Sequence, residues 1–145
     1  MTEFRPPTAE ELRKLPANFP SRAETRSLVE AMVKIDDHFD ALKAIARAGF
    51  RAPPQKPDLS PVNESLMLWE VFREAHREKM GAQRGERFLA ELGKAEATAG
   101  NLHSRLKDFA AESNSANRTA VKAAFQAVTQ NCASCHKAFR DSSSP

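Results

Sequence analysis

The feature that most constrains the fold is an apolar stripe with helical spacing in the second half of the chain. Its members recur four and three residues apart, so they share one face of an α-helix. They are Phe88, Leu92, Ala95, Ala99, Leu102, Leu106 and Phe109. Such a helix is stable mainly through burial of its apolar face against other elements. The spacing therefore predicts a helix over 86–111 whose partners the rest of the chain must supply.

Three further segments show helical periodicity. The predicted helices span 22–48, 61–80, 86–111 and 117–140. The first follows a capping-box sequence that starts at Ser21. The second follows Ser60, with Pro61 at its first helical position. Four amphipathic helices with short or Pro-rich links and no strand pattern predict an all-α, antiparallel four-helix bundle.

The chain has 145 residues, which suits one domain with a single core. Its first 20 residues contain four prolines and no long periodic stripe. We expect a Pro-rich arm over 1–20, the bundle over 21–141, and a frayed tail over 142–145.

The last predicted helix carries the sequence Cys132-Ala133-Ser134-Cys135-His136. C-x-x-C-H is the attachment signature of a c-type haem. The two thiols add across the haem vinyl groups, and His136 supplies an imidazole nitrogen to one axial position of the iron. Cys132 and Cys135 also continue the apolar row of this helix. One covalent haem c is therefore expected in the interior, near the end of the fourth helix.

Other uses of two closely spaced thiols fit the sequence less well. A redox dithiol normally opens a helix in a fold that contains strands. A structural zinc site needs four closed ligands, and His76 and His103 are too isolated to complete one.

The motif lies near the end of the fourth helix, and only nine residues follow His136. In this the chain resembles the class II c-type cytochromes, namely cytochrome c′ and its low-spin relatives. The segment NCASCHKAFR places Arg140 where that family often has a basic residue near the haem. Residues 32–45 resemble the family's first helix. The resemblance implies that Arg140 contacts a haem propionate or shields His136, and that Met32 faces the distal side of the iron.

The second axial position decides the function. A thioether sulfur there stabilises the reduced iron and favours electron transfer, whereas an open position binds NO or CO. Met32 also belongs to the apolar stripe of the first helix, so it is either a ligand or a core residue. His38 lies off that stripe and is expected to face solvent.

Composition excludes several classes of protein. No run of about 18 apolar residues is present, so no membrane span is expected. The formal charge of +3 falls to roughly +1 with two propionates, and no basic cluster with interleaved aromatic residues suggests nucleic acid. The sequence shows no spare nucleophile and no phosphate-binding loop, so we expect no enzyme activity.

Thioether attachment of haem takes place on the outer side of the bacterial cytoplasmic membrane. A periplasmic location is therefore expected, with an export signal that this chain does not show. The expected partners are redox proteins, with NO or CO as the alternative. The apolar width of the second helix also allows a homodimer through the first two helices.

Overall fold

The structure is a computed structural model that describes residues 8–10 and 19–140, with the side chains of 8–10 and 27–139. Within these residues the chain forms four long α-helices and no strand. The helices are α1 (Phe19–Arg47), α2 (Pro61–Arg77), α3 (Glu86–Ala111) and α4 (Ser115–Cys135). The predicted four-helix bundle is confirmed. Most of the predicted arm and the predicted tail lie outside the described residues.

Local sequence explains where α2 and α4 begin. The Ser60 hydroxyl accepts a hydrogen bond from the backbone N–H of Asn63 at 3.1 Å, and Pro61 follows at the first helical position. Asn114 caps α4 in the same way, accepting from the N–H of Asn117 at 2.8 Å. None of the four helices is long and apolar enough to cross a membrane.

Several predicted helix ends differ from the structure. α2 ends at Arg77 and not at 80, and α4 begins at Ser115 and not at 117. α1 begins at Phe19, so Ser21 lies inside the helix and not at its N-cap. α4 ends at Cys135, and a π-helical turn continues from His136 to Arg140. Such turns are rare, are frequent at functional sites, and leave no signal in a 3.6-residue periodicity. This one begins at the histidine of the C-x-x-C-H motif.

The helices pack in chain order, α1 on α2, α2 on α3, and α3 on α4. The apolar stripes predicted from the sequence meet in one core. Its largest fully buried apolar side chains are Leu42, Ile45, Leu68, Leu92, Leu102, Leu106, Val121 and Val128. Leu68 and Phe72 of the broad apolar face of α2 lie in this core, whereas Met67 is 38% exposed.

The first and last helices meet differently. Within the described residues, α1 and α4 lack the extensive backbone packing that joins the other neighbours. Side chains bridge them instead: the ring of Phe125 on α4 stacks on Phe39 of α1, with centroids 5.8 Å apart. The space between the two helices forms a cavity.

Candidate functional site

A cavity of about 690 Å³ lies between α1 and α4. This volume falls within the range of small-molecule and cofactor pockets. Met32, Cys132, Cys135 and His136 all line it, so the structure brings four of the five predicted site residues to one place. Arg140 ends the π-helical turn, and its side chain lies outside the described ones.

The walls of the cavity are largely apolar and come from all four helices and the π-helical turn. They include Leu28, Ile35, Phe39, Phe72, Phe88, Leu92, Ala95 and Phe139. The same residues belong to the core or pack against it. A flat, apolar macrocycle placed here would bury its faces against hydrocarbon, so the lining fits a haem.

Both motif thiols are half-buried and pack against the core. Burial is the main cause that raises the pKa of Cys132 to about 11, with further increases from Cys135 and Asp36 and an opposing effect of Lys43. Burial also raises the pKa of Cys135. Without haem, both groups are therefore neutral thiols at neutral pH.

The two thiols and the imidazole of His136 are spread along the cavity wall. Among the described residues, no three His, Cys, Asp or Glu side chains converge as the ligands of one metal ion would. Two thiols with a neighbouring imidazole suit a haem instead, because the thiols would bond to the vinyl groups and the imidazole to the iron.

A hydrogen-bond network ties the motif to α3. The side-chain amide of Asn131 donates to Thr98 Oγ1 at 2.8 Å and to the carbonyl oxygen of Lys94 at 3.4 Å. Because Asn131 directly precedes Cys132, these bonds set the position of α4 beside the cavity. Hydrogen bonds to α3 thus hold the start of the motif in place.

The turn between α2 and α3 adds a cation to the cavity. Residues 82–84 form a 3₁₀ turn between Gly81 and Gly85, which both have positive φ angles. Arg84 from this turn lines the cavity and donates to the carbonyl oxygen of Phe139 at 3.2 Å. Lys43 of α1 is a second lining cation. Neither cation was identified as a site residue from the sequence.

The prediction that His38 faces solvent is wrong. Its side chain is 18% exposed, and its Nδ1 lies 2.7 Å from Glu64 Oε2 on α2. This contact joins residues 26 positions apart, so the polar pattern of α1 alone could not reveal it. His38 is not among the residues that line the cavity.

The bundle and its cavity define a class of protein, the four-helix-bundle proteins that bind haem covalently at the C-terminal end of the last helix. A family model described as cytochrome C′ matches residues 17–140. The chain belongs to the cytochrome c′ family and is a haem c cytochrome. No curated protein and no solved structure matches the chain significantly. Proteins of this family are generally haem carriers or gas binders and typically periplasmic.

Proposed function

We propose that this protein is a periplasmic one-electron carrier. Cys132 and Cys135 would hold the haem by thioether bonds, His136 would bind the iron on one side, and Met32 would bind it on the other. The observation that carries the proposal is the position of Met32, which lines the same cavity as His136 but stands on a different helix.

Haem iron supplies a centre that gains or loses one electron at a time. The protein's part is to choose its axial ligands and to control its surroundings. The soft thioether of Met32 stabilises reduced iron. The apolar walls, with Phe39 and Phe88 among them, exclude water and lower the local dielectric, which favours the less charged reduced state.

The polar groups of the cavity suit the holding of a haem. The carboxylates of Asp36, Asp40 and Glu91 share the lining with two cations, and attachment of the haem would convert both thiols to thioethers. Lys43 and Arg84 line the cavity and are available to the propionates. These features support a protein that holds one haem as an electron carrier.

The ferric absorption spectrum tests the distal ligand. We expect the ferric wild-type protein to show a low-spin spectrum, with a weak absorption band near the red end of the visible range. In Met32→Ala, loss of the sulfur ligand should give a high-spin spectrum, lower the reduction potential and let CO bind readily to the reduced protein. Met67→Ala is the matched control, because Met67 is exposed on α2 and does not line the cavity.

A high-spin wild-type protein that binds CO as readily as Met32→Ala would overturn the carrier proposal. It would favour the five-coordinate alternative, in which the open distal position takes NO or CO. The attachment itself is tested by acid–solvent extraction of haem. The Cys132→Ser/Cys135→Ser double variant should release all of its haem, and retention of covalent haem would contradict the attachment.

A further inference from the structure

A second concave surface lies beside the haem cavity, between the C-terminal half of α1 and the middle of α4. We name it the basic groove. Its lining consists of Lys43, Ala46, Arg47, Phe50, Lys122, Phe125, Gln126, Thr129 and Gln130. Its volume is about 680 Å³, close to that of the haem cavity.

The charge of the basic groove has one sign. Three of its lining residues are cationic, Lys43, Arg47 and Lys122, and none of the described residues that line it is acidic. Lys43 is partly neutralised by Asp40, whose Oδ1 lies 2.9 Å from the ammonium nitrogen. Arg47 and Lys122 are exposed and form no ion pair with any described residue. The groove therefore presents uncompensated positive charge.

The basic groove and the haem cavity stand back to back. Lys43 and Thr129 line both, and Phe39, which lines the cavity, stacks on Phe125, which lines the groove. The Lys43 ammonium also lies 5.2 Å from the centroid of the Phe39 ring. The two spaces therefore share part of their walls, and a molecule seated in the groove would lie next to the haem cavity.

The backbone just after α1 is strained at Phe50, a residue that lines the groove. Phe50 has a φ angle of 65°, in the left-handed region that a bulky residue rarely adopts. Its N–H donates to the carbonyl oxygen of Ile45 at 2.8 Å, and its ring packs edge-on against Phe125 with centroids 5.9 Å apart. Strain of this kind persists where the surroundings hold a residue in place, and it concentrates at functional sites.

We infer that the basic groove is the docking surface for an acidic redox protein, an inference that rests on the proposed electron-carrier function. Arginine and aromatic residues are enriched at protein interfaces, and the groove combines Arg47 with the half-buried rings of Phe50 and Phe125. Complementary charge also steers the encounter with a partner. In the docked pair one electron passes between the partner and the haem. One of the two is oxidised and the other reduced, with no bond made and no proton transferred.

Two variants of the haem-loaded protein with the same net charge test this inference. Arg47→Glu/Lys122→Glu reverses the groove, and Arg77→Glu/Lys107→Glu reverses two cations on α2 and α3 that line neither space. Calorimetry measures binding of poly-L-glutamate, an acidic polypeptide. Stopped-flow absorbance measures oxidation of the reduced protein by the hexacyanoferrate(III) anion at an ionic strength of about 0.15 M, where screening leaves only charges within about 8 Å effective.

We expect the groove variant to bind poly-L-glutamate at least about tenfold more weakly than the control variant and to react about tenfold more slowly with hexacyanoferrate(III). The inference is overturned if the two variants behave alike. It is also overturned if only the reaction with hexacyanoferrate(III) changes, because the groove would then be a small-anion site. Failure of the carrier proposal is recognised separately, since a wild-type protein that exchanges electrons slowly with every reagent can still bind poly-L-glutamate through the groove.

Discussion

Replacing Gly81 with alanine should distort the haem cavity from outside it. Gly81 has a φ angle of +77°, and a Cβ atom built there would overlap Phe88 Cε1 and lie 3.0 Å from Leu28 Cδ2. Phe88 is only 3% exposed, lines the haem cavity and packs edge-on against Phe139, with centroids 5.2 Å apart. A Cβ at position 81 would therefore push the Phe88 ring toward the haem cavity, because Phe139 packs against the ring.

The structure gives the size of the effect. A left-handed backbone angle costs a non-glycine residue about 1–2 kcal/mol. Overpacking a buried site costs about 1–3 kcal/mol more. Gly81→Ala should therefore lower the free energy of unfolding by about 2–5 kcal/mol. The haem absorption bands should also shift, because Phe88 is pushed toward the cofactor.

Gly49→Ala is the matched control. Gly49 has nearly the same φ angle, +75°, but a Cβ there meets nothing within 4 Å. It should cost only the backbone strain, about 1–2 kcal/mol. The entropy that alanine removes from the unfolded chain is common to both variants and cancels in the comparison. Urea unfolding of the haem-loaded proteins, followed by far-ultraviolet circular dichroism, measures the difference. Equal loss of stability in the two variants would refute the predicted clash with Phe88.

Three further predictions concern the motif and the ends of α4. In haem-free protein, the raised pKa of Cys132, about 11, leaves about a thousandth of the thiol ionised at pH 8, against about a tenth at the ordinary value of 9.0. Alkylation of Cys132 by iodoacetamide should therefore be slow at pH 8 and should accelerate up to about pH 11. A rate at pH 8 equal to that of a free thiol would contradict the burial of Cys132. Asn131→Ala should destabilise the protein by about 1 kcal/mol in urea unfolding, because it removes the bond to Thr98, while Gln130→Ala, at an exposed site, should change little. Asn114→Ala should cost about 1 kcal/mol and Asn114→Gly only a few tenths, and similar losses would show that the cap bond contributes little.

The periodic segments were the most predictable part of the fold. The stripe from Phe88 to Phe109 predicted α3 with both of its ends correct, because Gly85 and the polar residues after Ala111 stop the pattern cleanly. The start of α2 was equally clear, since Ser60 and Pro61 each satisfy a local rule of helix initiation. Such features depend only on neighbours in the chain.

Features that depend on distant neighbours were not predictable. The partial burial of His38 involves its contact with Glu64 of α2, and the position of Arg84 at the cavity involves its hydrogen bond to the carbonyl group of Phe139. The π-helical turn after Cys135 changes the hydrogen-bond spacing without changing the apolar spacing before it. For the site, the C-x-x-C-H motif and Met32 could be read from the chain, whereas the cations around the cavity required the packed helices.

The separation of α1 from α4 also bears on how the chain folds. Every extensive helix contact among the described residues joins neighbours in sequence, so three local helix pairs can form without closing a long loop. The remaining junction joins α1 and α4, the first and last helices, which are the farthest apart in sequence. The haem cavity lies at this junction. The nearest-neighbour pairs should thus form early and this junction last. The thioether bonds would then fix the end of α4 to a cofactor that α1 also contacts, so haem attachment would stabilise the junction between α1 and α4.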